Sequence, residues 1–227
     1  MKKVVVVTGS SSGLGKAIAT LLLQRGDYHL ILTGRNARGL AEFQNNSDVD
    51  IIIGDITDNK TLDAIENNVK KRKRIDILIN NAGIIYIQPY TDNTRQQLDD
   101  LLEIDLKAPM LLTQQLYPLM VKQQSGHIIN INSTTGLLAK ANHTLYSAAK
   151  FGLKGFTDAL RYEANQHNIR VTSFHPGGMK TEFYDELTGI PVEKYMNPRL
   201  IAKLLLQLIE TDPSIAPDEI VINRMMK

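Results

Sequence analysis

The stretch Val4-Val5-Val6-Val7-Thr8-Gly9-Ser10-Ser11-Ser12-Gly13-Leu14-Gly15 passes from a β-branched run through a glycine- and serine-rich turn into a helical pattern. Consecutive valines with no polar alternation describe a strand buried on both faces, the situation of a strand inside a parallel sheet. The strand is expected over Val4–Thr8. The helix after the turn, Leu14–Arg25, carries Leu14, Ile18, Leu21 and Leu22 on one face and is stopped by Gly26. Working outward, Leu30–Thr33, Ile51–Ile53, Ile75–Asn80, His127–Asn132, Val171–His175 and Glu219–Ile222 read as further strands. Helices are expected between them at Ala37–Asn45, Asn59–Lys73, Arg95–Lys122, Tyr146–His167 and Pro198–Glu210. This alternation predicts an α/β fold: a doubly wound parallel seven-stranded sheet with helices on both faces, in one domain over 1–227. In such sheets ligands sit at the carboxyl ends of the strands.

Composition narrows the function classes. The chain has 227 residues, 43% hydrophobic and 22% charged, which suits one sizeable core. A net charge of +2 argues against nucleic acid as a partner. With no cysteine, disulfides, thiol catalysis and cysteine-ligated zinc are excluded. His29, His127, His143, His167 and His175 show no metal-ligand spacing, so no metal is expected. The apolar run after Lys2-Lys3 is too short for a signal peptide, and no stretch of about 18 apolar residues suggests a membrane span. A cytoplasmic location is expected. Lys70-Lys71-Arg72-Lys73-Arg74 reads as a solvated cationic helix end rather than a polyanion-binding run.

The turn Gly9-Ser10-Ser11-Ser12-Gly13-Leu14-Gly15 lies where a pyrophosphate would rest against a helix start. A phosphoryl-transfer loop fails twice: Ser10 stands where its first glycine belongs, and Ala17 replaces the hydroxyl residue that holds magnesium. The common dinucleotide spacing G-x-G-x-x-G fails too, and taken alone the turn also serves as a tight strand-to-helix connection. Arg35, following Gly34 after the second strand, offers a guanidinium fork for a ribose 2′-phosphate where a carboxylate would have bound the free hydroxyl. A solvated surface arginine is the other reading.

Tyr146 and Lys150 lie four apart on a predicted helix, so they share a face, and a nearby ammonium is expected to draw the phenol pKa down. Ser133, thirteen residues before Tyr146, lies just after the fifth strand and can donate to a substrate oxygen. Asn132-Ser133-Thr134 also spells a glycosylation sequon, set aside because it abuts a buried strand.

The pattern T-G-x-x-x-G-x-G (Thr8–Gly15), Asn80-Asn81-Ala82-Gly83, Ser133 with Tyr146-x-x-x-Lys150, and Pro176-Gly177-x-x-x-Thr181 resembles the short-chain dehydrogenase/reductase family over residues 3–181. The resemblance implies a Rossmann-like sheet and a soluble oxidoreductase moving a hydride between NADP(H), rather than NAD(H), and a small carbonyl or alcohol substrate. It implies Tyr146 as general acid and base, Ser133 as carbonyl orienter and Lys150 as pKa modifier and ribose ligand. Cofactor contacts are implied at Gly9, Ser11, Ser12, Gly13, Leu14, Gly15, Arg35, Asp55, Ile56, Asn81, Ala82, Gly83, Tyr146, Lys150, Pro176, Gly177, Met179 and Thr181. Asp55 would meet the adenine amino group, Asp58 cap the next helix, and Thr181 touch the nicotinamide carboxamide. A short substrate lid is implied around 182–197, with Phe183, Tyr184, Leu187, Ile190 and Tyr195 lending it an apolar, aromatic character. His143 reads as a surface loop residue. Asp105 replaces the family's catalytic asparagine, placing a carboxylate near Lys150; activity with an altered proton relay is expected. A homodimer or homotetramer is implied. The reading from another class is a noncatalytic NADP(H)-binding regulator, which Asp105 favours and the intact Ser133–Tyr146–Lys150 set opposes.

Overall fold

The computed structural model describes residues 2–184 and 192–225. Seven parallel strands run in the order β3-β2-β1-β4-β5-β6-β7, comprising β1 (Lys3–Val7), β2 (Tyr28–Gly34), β3 (Val49–Ile53), β4 (Ile77–Asn80), β5 (Gly126–Ile131), β6 (Ile169–Pro176) and β7 (Glu219–Ile222). The order reverses between β1 and β4, and there the connections leave in opposite directions and open a crevice. The doubly wound parallel sheet expected from the sequence is present.

The valines of β1 show why both faces are apolar. Val5 and Val7 pack with α1 (Gly13–Arg25) and α7 (Pro198–Glu210), while Val4 and Val6 face α3 (Asn59–Arg72), α5 (Ala108–Gln123) and α6 (Thr144–Asn165). Alternate residues therefore feed two separate cores. Helix α1 ends as expected at Gly26, whose φ of 77° is left-handed and whose N–H closes on the Leu23 carbonyl.

Three expected elements differ. The helix predicted over Ala37–Asn45 is a single turn, α2 (Ala37–Leu40), followed by a 3₁₀ turn at Ala41–Phe43. The strand expected from Ile75 begins at Ile77, since the Asp76 carboxylate is spent on the Val4 N–H and Arg74. The long helix over Arg95–Lys122 is α4 (Arg95–Leu102) and α5 joined by a π-turn at Glu103–Lys107. The Ala108 N–H reaches back five residues to the Glu103 carbonyl there, and such a bulge re-aims the side chains it contains. Asp58 sits at the start of α3 but caps it with its backbone carbonyl, not its side chain. Much of the basic run is paired: Lys70 with Glu66, Arg72 with Asp50 and Arg74 with Asp76.

A buried polar rung crosses the second core. Asn80 Nδ2 donates to Asn130 Oδ1 at 2.8 Å and to Thr113 Oγ1 at 3.1 Å, and Asn130 Nδ2 donates to Thr157 Oγ1 at 2.8 Å. One chain of amides and hydroxyls thus fastens α5, β4, β5 and α6 in register. Asn130→Ala leaves the Asn80 amide and the Thr157 hydroxyl each short of a partner, and a loss of about 2–4 kcal/mol is expected. Urea unfolding monitored by circular dichroism would check it; a variant as stable as the parent would show the rung to be dispensable.

Candidate active site

The glycine turn takes its shape from what lies behind it. Gly9 and Gly13 have φ of 64° and 53°, conformations that side-chain-bearing residues rarely adopt. A Cβ on Gly9 would stand 2.8 Å from Ala82 Cα, so the turn lies directly on the segment after β4. Thr8 Oγ1 accepts from the Asn81 N–H (2.9 Å) and the Ala82 N–H (3.0 Å), and Asn81 Nδ2 donates back to the Thr8 and Gly9 carbonyls. Gly15 sits beneath the turn, where a Cβ would strike the Gly9 carbonyl oxygen and Asn81 Nδ2. Ser12 opens α1 without a side-chain cap, leaving the first-turn N–H groups directed at the crevice.

From this turn a cleft of about 990 Å³ runs in two directions. Toward the end of β2 it is lined by Ser11, Arg35, Arg38 and Asp55. Arg35 is largely exposed and lies 3.5 Å from Asp55 Oδ2. Burial opposes ionisation of Asp55, but the Thr57 N–H and hydroxyl together with Arg35 outweigh it and hold the carboxyl below its ordinary range. Both oxygens of Asp55 are therefore already engaged by the protein. Arg38, one turn on from Arg35, lines the same end and was not singled out in the sequence.

In the other direction lie Ser133, Tyr146 and Lys150. Ser133 ends the loop after β5 and accepts from the Thr135 N–H at 3.1 Å. Its carbonyl is held by buried His175 Nδ1 at 2.9 Å, a support that the sequence reading did not assign. Tyr146 and Ser133 line the same part of the cleft, and Tyr146 packs with Leu101, Leu145, Ile84, Ile85 and Phe183. Lys150 Nζ donates to the Ile131 carbonyl at 3.2 Å, pairs with Asp105 Oδ1 at 3.2 Å, and lies 5.6 Å from the Tyr146 ring centre. Asp105 is delivered to this place by the π-turn, is fully buried, and accepts the Ile84 N–H on its other oxygen.

One expectation is reversed. Lys150 was expected to draw the Tyr146 pKa down, but burial pushes the phenol above the ordinary tyrosine range. The Asp105 charge adds to that rise, and the Ser133 side chain only opposes it. The ammonium's field is spent largely on the carboxylate beside it.

The structure gathers almost all the expected residues along the cleft wall, including Gly9, Ser11, Ser12, Gly13, Leu14, Ile56, Asn81, Ala82, Gly83, Pro176, Gly177, Met179 and Thr181. Gly15 and Asp105 are the exceptions; each supports a wall from behind. The region expected as a lid is described at 182–184 and 192–197; Leu187 and Ile190 lie outside the described residues. Phe183, Tyr184 and Tyr195 form an edge-to-face chain running on from Tyr146.

Comparison with known proteins bears on the same surface. A family model described as short chain dehydrogenase matches residues 3–189. An uncharacterized oxidoreductase of Staphylococcus aureus (strain USA300) is 31% identical over 224 residues, spanning 97% of this chain and 96% of that protein. The closed form of serine dehydrogenase complexed with NADP+ matches with a TM-score of 0.89 and 25% identity, over 96% of this chain and 94% of that one. 4-Hydroxyisoleucine dehydrogenase complexed with NADH matches at 0.88 and 25%, over 98% and 97%.

Gly83 leaves the room that the buried pair occupies: a Cβ there would collide with Asp105 Oδ1 and come within 3.8 Å of Lys150 Nζ. Gly83→Ala is expected to cost about 1–3 kcal/mol through overpacking. In a chain of this size each kcal/mol lowers the melting temperature by about 2–4 °C. Calorimetry would check this, and an unshifted transition would mean the pair readily gives way.

Proposed function

The chain belongs to the short-chain dehydrogenase/reductase family and is an oxidoreductase acting on a small molecule, and we propose that it transfers hydride reversibly between NADP(H) and a carbonyl or alcohol substrate, with Tyr146 as general acid and base. The observation that carries this reading is the meeting of Ser133, Tyr146 and Lys150 at one end of a cleft whose middle holds the glycine turn and whose other end holds Arg35.

The residues present fit a dinucleotide. The glycine turn leaves backbone N–H groups facing the crevice, and a Cβ at Gly13 would crowd the Thr181 side chain across it at 3.3 Å. In this reading Gly9, Ser11, Ser12, Gly13 and Leu14 hold the pyrophosphate, Asp55 and Ile56 flank the adenine, and Asn81, Ala82 and Gly83 line the ribose side. Pro176, Gly177, Met179 and Thr181 flank the nicotinamide. When bound, the cofactor supplies the hydride to the carbonyl carbon in reduction and takes it back in oxidation. Tyr146 Oη gives its proton to the carbonyl oxygen in reduction and removes the hydroxyl proton in oxidation, while Ser133 holds that oxygen within reach. Fixing both partners in one cleft removes much of the entropic barrier.

The preference for NADP(H) rests on Arg35 and Arg38, since structural relatives bind one or the other cofactor. A phosphate at that position would compete with Asp55 for the Arg35 guanidinium. Around Tyr146 the lining is apolar and aromatic, from Ile84, Ile85 and Phe183, and the charges that border it are the carboxylates of Asp100 and Glu182. That balance supports an uncharged, partly apolar carbonyl compound as substrate. A cytoplasmic, homodimeric or homotetrameric enzyme belongs to the same reading; the exposed Phe151 and Tyr162 on α6 support self-association, and no helix among the described residues is long and apolar enough to cross a membrane.

Fluorescence titration with NADPH and NADH tests the cofactor assignment. NADPH is expected to bind tighter, and Arg35→Ala to weaken NADPH by about tenfold or more while leaving NADH unchanged, the value of one charge-assisted contact. Equal affinities, unaltered in the variant, would overturn the assignment. In a carbonyl-substrate screen with NADPH, Tyr146→Phe is expected to lose about 10²–10⁴-fold in turnover with NADPH affinity kept. A variant that binds NADPH and reduces substrate as fast as the parent would remove Tyr146 from the chemistry; a parent that binds but never reduces would favour the noncatalytic regulator.

A further inference from the structure

Two ionisable groups, Asp105 and Lys150, meet beneath Tyr146 in a place with almost no access to water. Asp105 is 1% exposed and Lys150 4%, and their charged atoms are 3.2 Å apart. The arrangement is enforced from several sides: the π-turn directs Asp105 inward, Gly83 leaves it room, and the Ile84 N–H holds Oδ2. The Ile131 carbonyl holds the lysine. A buried pair of this kind keeps a net charge of zero whether the shared proton sits on nitrogen or oxygen, because leaving either charge uncompensated is costly.

We propose that Asp105 is a positioning carboxylate that cancels the Lys150 charge beneath Tyr146 and so keeps the phenol in its proton-donating form, setting this cleft for carbonyl reduction across the physiological pH range. The inference rests on the hydride-transfer reading above and concerns the protonation state of its acid–base group. With an uncompensated ammonium 5.6 Å from the ring centre, the phenolate would gain a counterion and the oxidative direction would gain its base at lower pH. With Asp105 in place, that gain is withdrawn.

Other groups facing the pair do not restore it. Ser133, in the loop after β5, carries no charge. Tyr184, from the 182–184 turn, is itself held neutral by burial and by its coupling to Tyr146. Asp100 of α4, engaged by Gln96 and Tyr86, is another negative charge. Within the π-turn, Glu103 and Lys107 are exposed and pair with each other at 2.8 Å. Burial raises the Asp105 carboxyl, and Lys150 and the Ile84 N–H moderate that rise. The sign for Tyr146 follows: a raised phenol stays protonated at neutral pH and loses its proton only in strongly alkaline solution.

The test is an ultraviolet tyrosinate titration of the cofactor-free protein, taken as the difference between the parent and Tyr146→Phe, so that one of the eight tyrosines is isolated. No Tyr146 ionisation is expected below about pH 10. In the Asp105→Asn background the same difference titration should move down by about one pH unit or more, the field of one charge at this distance in a protein interior. With a substrate found by the NADPH screen, alcohol oxidation near neutral pH should rise about tenfold in Asp105→Asn, and reduction should begin to fail at correspondingly lower pH. A parent Tyr146 that ionises near neutrality, or an Asn variant with an unmoved midpoint, would overturn the proposal. If the Asn variant does not fold, the parent titration decides alone. Because the titration needs no cofactor, failure of NADPH to bind strikes the hydride-transfer reading and leaves the charge cancellation separately tested.

Discussion

The cleft depends on how the carboxyl ends of β1 and β4 are fastened together at the reversal of strand order. Thr8 carries most of that fastening. Its hydroxyl oxygen receives two successive backbone N–H groups, from Asn81 and Ala82, while the Asn81 amide returns a bond to the carbonyls of Thr8 and Gly9. The two loops on either side of the crevice are thereby fixed to each other. With the loops locked, Gly9 can face Ala82 without a side chain, α1 can begin directly under the turn, and Gly83 can pass over the Asp105–Lys150 pair. Loosening Thr8 would disturb the pyrophosphate turn and the proton-donating end together.

Much of this is legible in the sequence because the physical signals are local. A parallel sheet covered on both faces forces continuous apolar runs, which is why Val4–Val7 and the later strands could be placed from composition alone. Gly26 stops α1 for a reason written in one residue. That the cleft lies at the strand ends followed from the doubly wound sheet, while the individual residues of its wall came from the resemblance to the family. What was not legible depends on distant partners. The π-turn at Glu103–Lys107 has no distinguishing local pattern, and it carries Asp105, the lysine's direct ion-pair partner. The direction of the Tyr146 shift was misjudged for the same reason: i and i+4 spacing brings Lys150 to the right face, but the net field at the phenol depends on a carboxylate from another helix. His175 under the Ser133 carbonyl and the engagement of Asp55 by Thr57 are likewise contacts across the chain.

The electrostatic layout of the cleft is graded along its length. Arg35 and Arg38 stand at the β2 end, the uncharged N–H groups of the glycine turn in the middle, and the Asp105–Lys150 ion pair with two bordering carboxylates at the Tyr146 end. Such a layout suits the proposed function, with phosphate favoured at one end and an uncharged group at the other. The same gradient discourages a substrate carboxylate from lying beside Tyr146.

The strand order also bears on how the chain assembles. Every ladder but one joins strands that are consecutive in the chain; the exception is β1 with β4, which pairs Val5 with Ile77. The first three strands can zip as the chain emerges from synthesis, and each of the last four can extend an edge already formed. Joining the halves requires closing a long loop, whose entropy must be met before its contacts reward it. The Thr8–Asn81 fastening belongs to that same closure. A nascent chain that stops before Ala82 therefore owns the glycine turn but no crevice, and recognition of its ligand begins only when the two halves have found each other.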